Sequence, residues 1–293
     1  MNALGSAALD STARARFAHI LFPTDLSPSA ERALPYALEI ARRYQASVHA
    51  VNVITQSGMY TLAPPASWPE IAKLEEKARE DFRQRIERQL ETIQHEVIFQ
   101  TGDVWPVLAR IIHERKIDLI VLSTHAPVAV EKFFLGSVAE EIFRRALCPV
   151  LTVGPSAPLK PRQLGELDCI LYATDFSPES LAGAPYAISL AREHRARLVL
   201  LHCRRDSEDV HALRQALDDI VPFGAELRIP PDCVVEHGRP AEKILEVAEA
   251  HGADLIVLGI RGAEHISGGG QFRQTGSYQI VARSKCPVLT VRG

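Results

Sequence analysis

The chain repeats itself at long range, and this repeat constrains the fold more than any other feature of the sequence. The segment LFPTDLSPSAERALPYA (residues 21–37) returns 150 residues later as LYATDFSPESLAGAPYA (residues 171–187). Two further blocks return in the same order: DLIVLSTHA as DLIVLGIRG, and CPVLTVG as CPVLTVR. The period is far longer than that of a solenoid repeat, so the pattern indicates a duplicated domain.

Length and composition agree with two soluble domains. A chain of 293 residues with 46% apolar and 24% charged residues is typical of globular proteins with two cores. We expect a disordered tail over 1–15, a first domain over 16–154, a Pro- and Gly-rich linker over 155–166 and a second domain over 167–293. The net charge of −3 predicts no general attraction to nucleic acid or to an anionic membrane.

Strands and helices alternate within each copy. The apolar runs HILFP and CILYA are typical of buried strands, and a serine followed by proline (Ser27 and Ser177) predicts a capped helix start after each. An apolar stripe of helical period from Ala30 to Ala41 predicts one continuous helix there. The fold class we predict is α/β: two repeated doubly wound domains, each a five-stranded parallel sheet with helices on both faces.

The first copy contains an additional long segment before its third strand. Its pattern predicts a helix over 69–94. The positions expected to form its buried face are Ile71, Leu74, Ala78, Phe82, Ile86, Leu90 and Ile93.

Ligands of open parallel sheets bind beyond the carboxyl ends of strands, where the strand order reverses. Each copy marks two such ends, PTD or ATD after strand one and STHA or GIRG after strand four. If these strands are neighbours, their turns form one crevice. Helices starting at Gly136-Ser137 and Gly276-Ser277 would add backbone N–H groups and a dipole that favour phosphate.

These segments carry a resemblance to a known family. PTDLS and ATDFS, the DLIVLSTH and DLIVLGIRG frameworks, the GS pairs and the terminal CPVLTV together resemble tandem universal stress proteins of the UspA superfamily. The resemblance implies a Rossmann-like, five-stranded sheet in each copy and a stress-response role. It also implies pairing of last strands, either within one chain as an internal pseudo-dimer or between chains of a homodimer.

ATP-binding members of that family share a loop of the form G-x2-G-x9-G-[ST]. The first copy keeps this spacing but replaces both early glycines, by Ser123 and Ala126. The second copy keeps Gly259 and Gly262 but is four residues longer, with the extra residues in the stretch 267–275. The resemblance therefore implies ATP, with Mg²⁺, in one copy, in both or in neither.

The resemblance also assigns candidate nucleotide-binding residues. The acids after strand one would lie beside the nucleoside, the ends of the second strands would meet the adenine through their backbones, and the loops would hold the phosphates. In the first copy these are Asp25, Val53, Ser123, Ala126, Gly136 and Ser137; in the second they are Asp175, Cys203, Gly259, Gly262, Gly276 and Ser277.

Plainer interpretations stay open beside these. Asp25 and Asp175 also suit a strand-to-helix turn, in which an Asp side chain accepts hydrogen bonds from nearby backbone. The five cysteines form no CxxC pair and no histidine pattern predicts a metal site, so we expect buried thiols in a reducing cytoplasm. The N-terminus has no apolar run typical of a secretory signal.

These sequence features are compatible with three functions. The first is a regulatory stress protein that binds adenine nucleotide without strong catalysis. The second is a stress-response scaffold or small-ligand module that does not use nucleotide and has a protein partner. An enzyme such as a slow ATPase ranks last, because the chain has no Walker loop GxxxxGK[ST].

Overall fold

The computed structural model describes residues 15–55, 68–124, 137–159, 167–206, 208–261 and 276–293. The chain divides into two compact units, built mainly on Phe17–Pro155 (the first unit) and Gly165–Gly293 (the second unit). The predicted tail 1–15, apart from Ala15, and residues 160–166 of the predicted linker lie outside the described residues.

Each unit alternates strands and helices in the order predicted. The elements of the first unit are β1 (His19–Pro23), α1 (Pro28–Glu31), α2 (Leu34–Tyr44), β2 (Ser47–Ile54), α3 (Trp68–Leu90), β3 (His95–Thr101), α4 (Val104–Glu114), β4 (Leu119–Ser123), α5 (Ser137–Arg145) and β5 (Val150–Val153). Those of the second are β6 (Cys169–Ala173), α6 (Pro178–Leu181), α7 (Ala184–His194), β7 (Arg197–Arg204), α8 (Val210–Asp218), β8 (Asp232–His237), α9 (Pro240–His251), β9 (Leu255–Ile260), α10 (Gly276–Arg283) and β10 (Val288–Arg292).

The strands of each unit form a five-stranded parallel sheet. The order is β3-β2-β1-β4-β5 in the first unit and β8-β7-β6-β9-β10 in the second. β1 pairs with β2 on one side and with β4 on the other, and β6 pairs likewise with β7 and β9. Strands buried on both faces explain why runs such as LIVLS carry no polar alternation. The predicted fold class is confirmed.

The strand order places helices on both faces of each sheet. In the first unit the chain moves outward from β1 to β3, then returns through β4 to β5 on the other side. Because parallel crossovers are right-handed, this reversal sends α2 and α3 to one face and α4 and α5 to the other. The two strand ends at the reversal, β1 and β4, therefore leave an open crevice between the layers of helices.

The helix after strand one begins as predicted but is interrupted. The Ser27 and Ser177 hydroxyls accept hydrogen bonds from the N–H groups of Ala30 and Ser180, so both predicted caps are present. The single helix predicted over Ala30 to Ala41 is wrong, because the structure splits it into α1 and α2. Pro35 has no N–H to bond the carbonyl four residues earlier, and a proline at the same place separates α6 from α7.

The long helix α3 is shorter and more exposed than its pattern predicted. It ends at Leu90 rather than at residue 94. Phe82, Ile86 and Leu90 are buried as expected, but Leu74 is 58% exposed and Ala78 is exposed too. Ile71, near the start of α3, is also buried, and Phe82 packs on Phe99 of β3, so the exposed positions lie between two contacts. None of the described helices combines the length and apolar character needed to span a membrane.

A charged network joins β2, β3 and the residue after α4. Arg115 donates to both carboxylate oxygens of Glu96, at 2.7 Å each, and Nδ1 of the buried His49 lies 3.0 Å from Glu96. These hydrogen bonds, that from Arg115 above all, lower the pKa of Glu96 to about 2. Burial lowers the pKa of His49, so its ring stays neutral at pH 7.

This network predicts acid sensitivity. The folded pKa of Glu96 lies below its unfolded value, so its contribution to stability is complete above about pH 4.5 and is lost as the pH falls toward 2. We expect Glu96→Gln to lower the melting temperature by a few degrees at pH 7, and the difference from wild type to vanish near pH 2. Thermal scans across that range test this, with the exposed Glu91→Gln as control. A constant difference would contradict it.

Candidate functional site

The first unit contains a cavity of about 250 Å³ at the point where its strand order reverses. The carboxyl ends of β1, β2 and β4 open into it, and helices α1, α4 and α5 close its sides. Its lining residues are Pro23, Thr24, Asp25, Ala30, Val51, Asn52, Val53, Val104, Leu108, Leu122, Ser123, Val138, Ala139 and Ile142. Three of the residues predicted for this copy, Asp25, Val53 and Ser123, thus lie around one cavity.

Asp25 lies at the mouth of the cavity, in the turn that follows β1. Its Oδ1 accepts a hydrogen bond from the N–H of Ser27 at 2.9 Å, and Thr24 Oγ1 accepts one from the N–H of Leu26 at 3.1 Å. Leu26 has a left-handed φ of 60°, which this pair of hydrogen bonds supports. The turn interpretation of Asp25 therefore has a structural basis, and the exposed Asp25 also belongs to the lining of the cavity.

Asn52 is a wall residue that the sequence reasoning missed. Its Nδ2 donates to the carbonyl of Thr24 at 2.8 Å, which ties the end of β2 to the end of β1. The signal was a polar amide near the end of an otherwise apolar strand, one residue before the predicted Val53. Val53 itself lies on the cavity wall as well.

Ser123 ends β4 and is buried beneath α1. Its hydroxyl donates to the carbonyl of Ser29 at 2.5 Å. The Ser123 side chain thus lies between α1 and the end of β4 and separates them. The cavity lies beside this contact. Ser123 therefore has a packing role in addition to its place on the cavity wall.

The first turn of α5 forms the remaining side of the cavity. The helix begins at Ser137, as predicted, and Val138 and Ala139 face the cavity. Free N–H groups of a first helical turn favour an anion placed there. Ala126 and Gly136 lie outside the described residues, as does the side chain of Ser137.

The second unit repeats the turn after strand one. Asp175 is exposed, and its Oδ1 accepts from the N–H of Ser177 at 3.0 Å and from the Ser177 hydroxyl at 2.6 Å. Partial burial acts to raise the pKa of Asp175, but the hydrogen bonds from Ser177 outweigh it and hold that pKa below its ordinary value. The Asp175 carboxylate is therefore ionised at neutral pH, and its Oδ1 forms hydrogen bonds within its own turn.

The crevice of the second unit is more tightly closed than that of the first. Tyr172, which replaces Phe22 of the first copy, donates its hydroxyl to the carbonyl of Ser180 at 2.8 Å. The Ser180 hydroxyl lies 2.8 Å from Thr174 Oγ1, whereas the first copy has Ala30 at this place. These hydrogen bonds draw α6 onto the strand ends.

Gly259 of β9 meets the backbone of α6 rather than open space. A Cβ added to it would overlap the carbonyl oxygens of Glu179 and Ser180. A side chain at this position, such as that of Ser123 in the first copy, therefore does not fit the second unit. Close packing alone explains the glycine that the family pattern assigned to a phosphate loop.

The other second-copy candidates within the described residues lie near the end of β7 and at the start of α10. Phe176 stacks on His202 with ring centroids 4.7 Å apart, next to the predicted Cys203. Gly276 begins α10 as predicted and is exposed, and Ser277 follows it in the helix. Tyr278, in the place that Val138 holds in the first copy, is buried. Gly262 lies outside the described residues.

All five cysteines are free thiols. Burial raises the pKa of Cys148 to about 12 and those of Cys203, Cys233 and Cys286 to about 11, and it also raises the pKa of Cys169. A thiol with a raised pKa is a poor nucleophile and a poor metal ligand at neutral pH. No group of three or more potential metal ligands occurs among the described residues.

The chain is similar to proteins of known family. It is 36% identical over 135 residues to a universal stress protein of Thermus aquaticus, covering 42% of this chain and 97% of that protein. Its fold is similar to that of a universal stress protein from Archaeoglobus fulgidus, with 25% identity, a TM-score of 0.74 and coverage of 94% and 98% of the two chains. A solved universal stress protein in complex with cAMP is similar at 21% identity over 43% of this chain and 98% of that one, with a TM-score of 0.37.

A model of the universal stress protein family matches residues 16–154 and, a second time, residues 167–292. These two ranges hold all ten strands and the crevice of each unit. The chain therefore belongs to the universal stress protein family and carries two domains of that family in tandem.

Proposed function

We propose that the first unit binds an adenine nucleotide, with ATP as the physiological ligand, and that the second unit does not. The observation that carries this is the cavity at the strand-order reversal of the first unit, with Asp25, Val53 and Ser123 on its wall. Sites of this fold class lie at that reversal, beyond the carboxyl ends of the strands.

The cavity wall suits the nucleoside part of the ligand. Val51, Val53, Val104 and Leu108 offer an apolar surface to a flat base. The carboxylate of Asp25 lies at the mouth, where it would accept hydrogen bonds from ribose hydroxyls. A cavity of about 250 Å³ is at the small end of ligand sites, so the phosphates would lie outside it.

The phosphates would lie against the first turn of α5. Val138 and Ala139, which face the cavity, belong to this turn, so the N-terminal end of α5 lies at the cavity. The N-terminal end of the helix dipole adds a favourable field for negative charge. Mg²⁺ would be held mainly by the phosphates, as is usual for nucleotide-bound magnesium.

The role we propose is regulatory binding rather than turnover. Among the residues that line the cavity, Asp25 is the one carboxylate, and its Oδ1 is occupied by the N–H of Ser27. Hydrolysis would need a group that orients water at the γ-phosphate. Binding would instead shift the population of conformations or partners of a cytoplasmic stress protein, in keeping with its free thiols.

A matched pair of substitutions tests this proposal. Asn keeps the oxygen that accepts the N–H of Ser27 or Ser177, so Asp25→Asn and Asp175→Asn both preserve the turn while removing one charge. We expect Asp25→Asn to weaken ATP binding by roughly tenfold or more, because it loses a charge-assisted hydrogen bond. Asp175→Asn should stay within about twofold of wild type.

Equilibrium dialysis with radiolabelled ATP and Mg²⁺ gives both affinity and stoichiometry. We expect about one nucleotide per chain. An absence of saturable binding at millimolar ATP would refute the proposal, as would a loss of binding caused by Asp175→Asn alone. Release of phosphate at a rate that follows Asp25 would contradict the regulatory role.

A further inference from the structure

The outer edge of the first unit carries a second concave site, separate from the nucleotide cavity. It is a groove of about 600 Å³ with β3 as its floor and α3 and α4 as its two walls. We name it the arginine groove. Its lining residues are Arg79, Phe82, Arg83, Glu87, Glu96, Val97, Ile98, Phe99, Gln100, Arg110, Ile111, Glu114 and Arg115.

The floor of the arginine groove is a sheet edge with backbone groups available for pairing. β3 is the last strand on its side of the sheet, and its neighbour is β2. The N–H of Val48 in β2 donates to the carbonyl of Gln94. Because successive residues of a strand point their backbone groups to opposite sides, those of Val97 and Phe99 point away from β2 into the groove. Within the described residues, no hydrogen bond to these outward groups is found.

The α3 wall is aromatic as well as basic. Phe82 and Phe99 meet edge to face with ring centroids 6.0 Å apart, and the guanidinium of Arg79 lies over Phe99 at 5.1 Å. Arg79 is 52% exposed, so its stacking on Phe99 orients a cation that solvent still reaches.

At one end of the arginine groove, two of the three acidic side chains form ion pairs. Arg83 pairs with Glu87 at 2.7 Å, and Arg115 pairs with Glu96 at 2.7 Å. The negative charge of Glu114, the preceding residue in the chain, also stabilises the positive charge of Arg115. Two of the three carboxylates at this end are thus paired with a neighbouring guanidinium group.

At the other end of the groove, around Phe99, two arginine side chains have longer contacts with their partners. Arg79 on the α3 wall has Glu76 at 4.0 Å, at the limit of an ion pair. Arg110 on the α4 wall donates to the neutral side chain of Gln100 at 3.4 Å. Two cations therefore flank the open strand edge, one from each side.

We propose that the arginine groove binds an extended acidic peptide segment of a partner protein, which pairs with β3 as an additional strand. The peptide backbone would pair with the outward groups of Val97 and Phe99. Successive side chains of an added strand point to opposite walls. Two adjacent acidic residues would therefore meet Arg79 on one wall and Arg110 on the other.

The chemistry of the groove favours this occupant over two others. If β3 of a second copy of this chain paired with β3 of the first, Arg79 and Arg110 of one copy would lie near Arg79 and Arg110 of the other, and these like charges would repel. A nucleic acid would meet three acidic side chains in the groove and would leave the strand edge unpaired. In the second unit, the corresponding edge strand β8 carries Asp232 and Glu236, so we expect one peptide site per chain.

The test uses the full chain and a fluorescein-labelled peptide, Thr-Val-Glu-Asp-Val-Thr, with Thr-Val-Lys-Lys-Val-Thr as its charge-reversed control. Fluorescence anisotropy should show saturable binding of the acidic peptide, with a dissociation constant on the order of 10–100 µM, and none of the control. Arg79→Glu and Arg110→Glu should each weaken binding by roughly tenfold. Arg42→Glu, which alters an equally exposed arginine on α2, should leave it unchanged.

A backbone variant separates strand pairing from simple charge attraction. Val97→Pro removes an N–H that points into the groove and spares the bonds between β2 and β3, because edge strands accept proline at such positions. We expect it to abolish peptide binding without lowering the melting temperature by more than a few degrees. In wild-type protein, the acidic peptide should also slow hydrogen exchange at the amides of Val97 and Phe99.

Several results would overturn the proposal. These are equal binding of both peptides, retained binding by folded Val97→Pro protein, and unchanged exchange at Val97 and Phe99. Displacement of the acidic peptide by single-stranded RNA at equal concentration would assign the groove to nucleic acid instead. Because Asp25→Asn leaves this groove intact, its effect on ATP and any failure of peptide binding are independent results.

Discussion

Replacing Gly259 by alanine is expected to destabilise the second unit by about 3 kcal/mol, toward the upper end of the range for overpacked cores. The added methyl group would overlap the carbonyl oxygens of Glu179 and Ser180, which are backbone atoms and cannot rotate away. The helix α6 would have to leave the strand ends, and the hydrogen bond from Tyr172 to Ser180 would lengthen or break. A loss of this size corresponds to a fall in melting temperature of about 10 °C.

Gly276→Ala is the matched control, because it makes the same change at another glycine of the predicted phosphate loop. A Cβ at Gly276 meets no atom within 4 Å, and alanine is a better helix former than glycine. We expect no loss of stability. Thermal unfolding and hydrogen exchange of β9 and α6 measure both variants. If Gly259→Ala is as stable as wild type, close packing does not explain this glycine.

Grafting the closed arrangement of the second unit onto the first is expected to abolish nucleotide binding there. The graft is the triple substitution Phe22→Tyr, Ala30→Ser and Ser123→Gly, which copies Tyr172, Ser180 and Gly259. The new hydroxyls would draw α1 onto the strand ends, as Tyr172 and Ser180 draw α6. Removal of the Ser123 side chain deletes the spacer that now separates α1 from β4.

Dialysis with radiolabelled ATP should then show no saturable binding up to millimolar ligand, whereas the protein should unfold at nearly the wild-type temperature. Ser123→Gly alone is the control, since it removes the spacer without supplying the hydroxyls, and we expect it to keep most of the affinity. Wild-type binding by the folded triple variant would mean that this cavity is not the nucleotide site. The graft leaves the arginine groove untouched, so peptide binding should persist.

Much of the fold could be predicted because its signals are local. β1 and β6 have the bounds that their apolar runs predicted, since a strand buried on both faces is a continuous apolar segment between turns. The caps at Ser27 and Ser177 are equally local. The break between α1 and α2 was also written in the sequence, as Pro35, but the apolar stripe that crosses it favoured one helix.

The exposed positions of α3 could not be predicted in this way. Leu74 and Phe82 have the same helical period, yet Leu74 is exposed and Phe82 is buried. The difference depends on which side chains of β3 lie beneath the helix, because Phe82 packs on Phe99. That is a tertiary property, because it is set by a strand that follows α3 in the chain.

The candidate site shows the same division. The resemblance placed Asp25, Val53 and Ser123 near a ligand, and the structure brings them to one cavity. The resemblance missed Asn52, because its role depends on a hydrogen bond to the carbonyl of Thr24, which follows a neighbouring strand. The nucleotide-binding roles of all the candidate residues remain predictions, and Ala126, Gly136 and Gly262 lie outside the described residues.

The sequence by itself determined the duplication, the order of strands and helices, and the acid that follows the first strand of each copy. Those properties depend on neighbours in the chain and on the period of apolar residues. Only the tertiary structure decided the difference between the copies. Whether a crevice stays open depends on the distance between a helix and a strand far apart in sequence. Ser123 keeps α1 and β4 apart, and Tyr172, Ser180 and Gly259 bring α6 and β9 together.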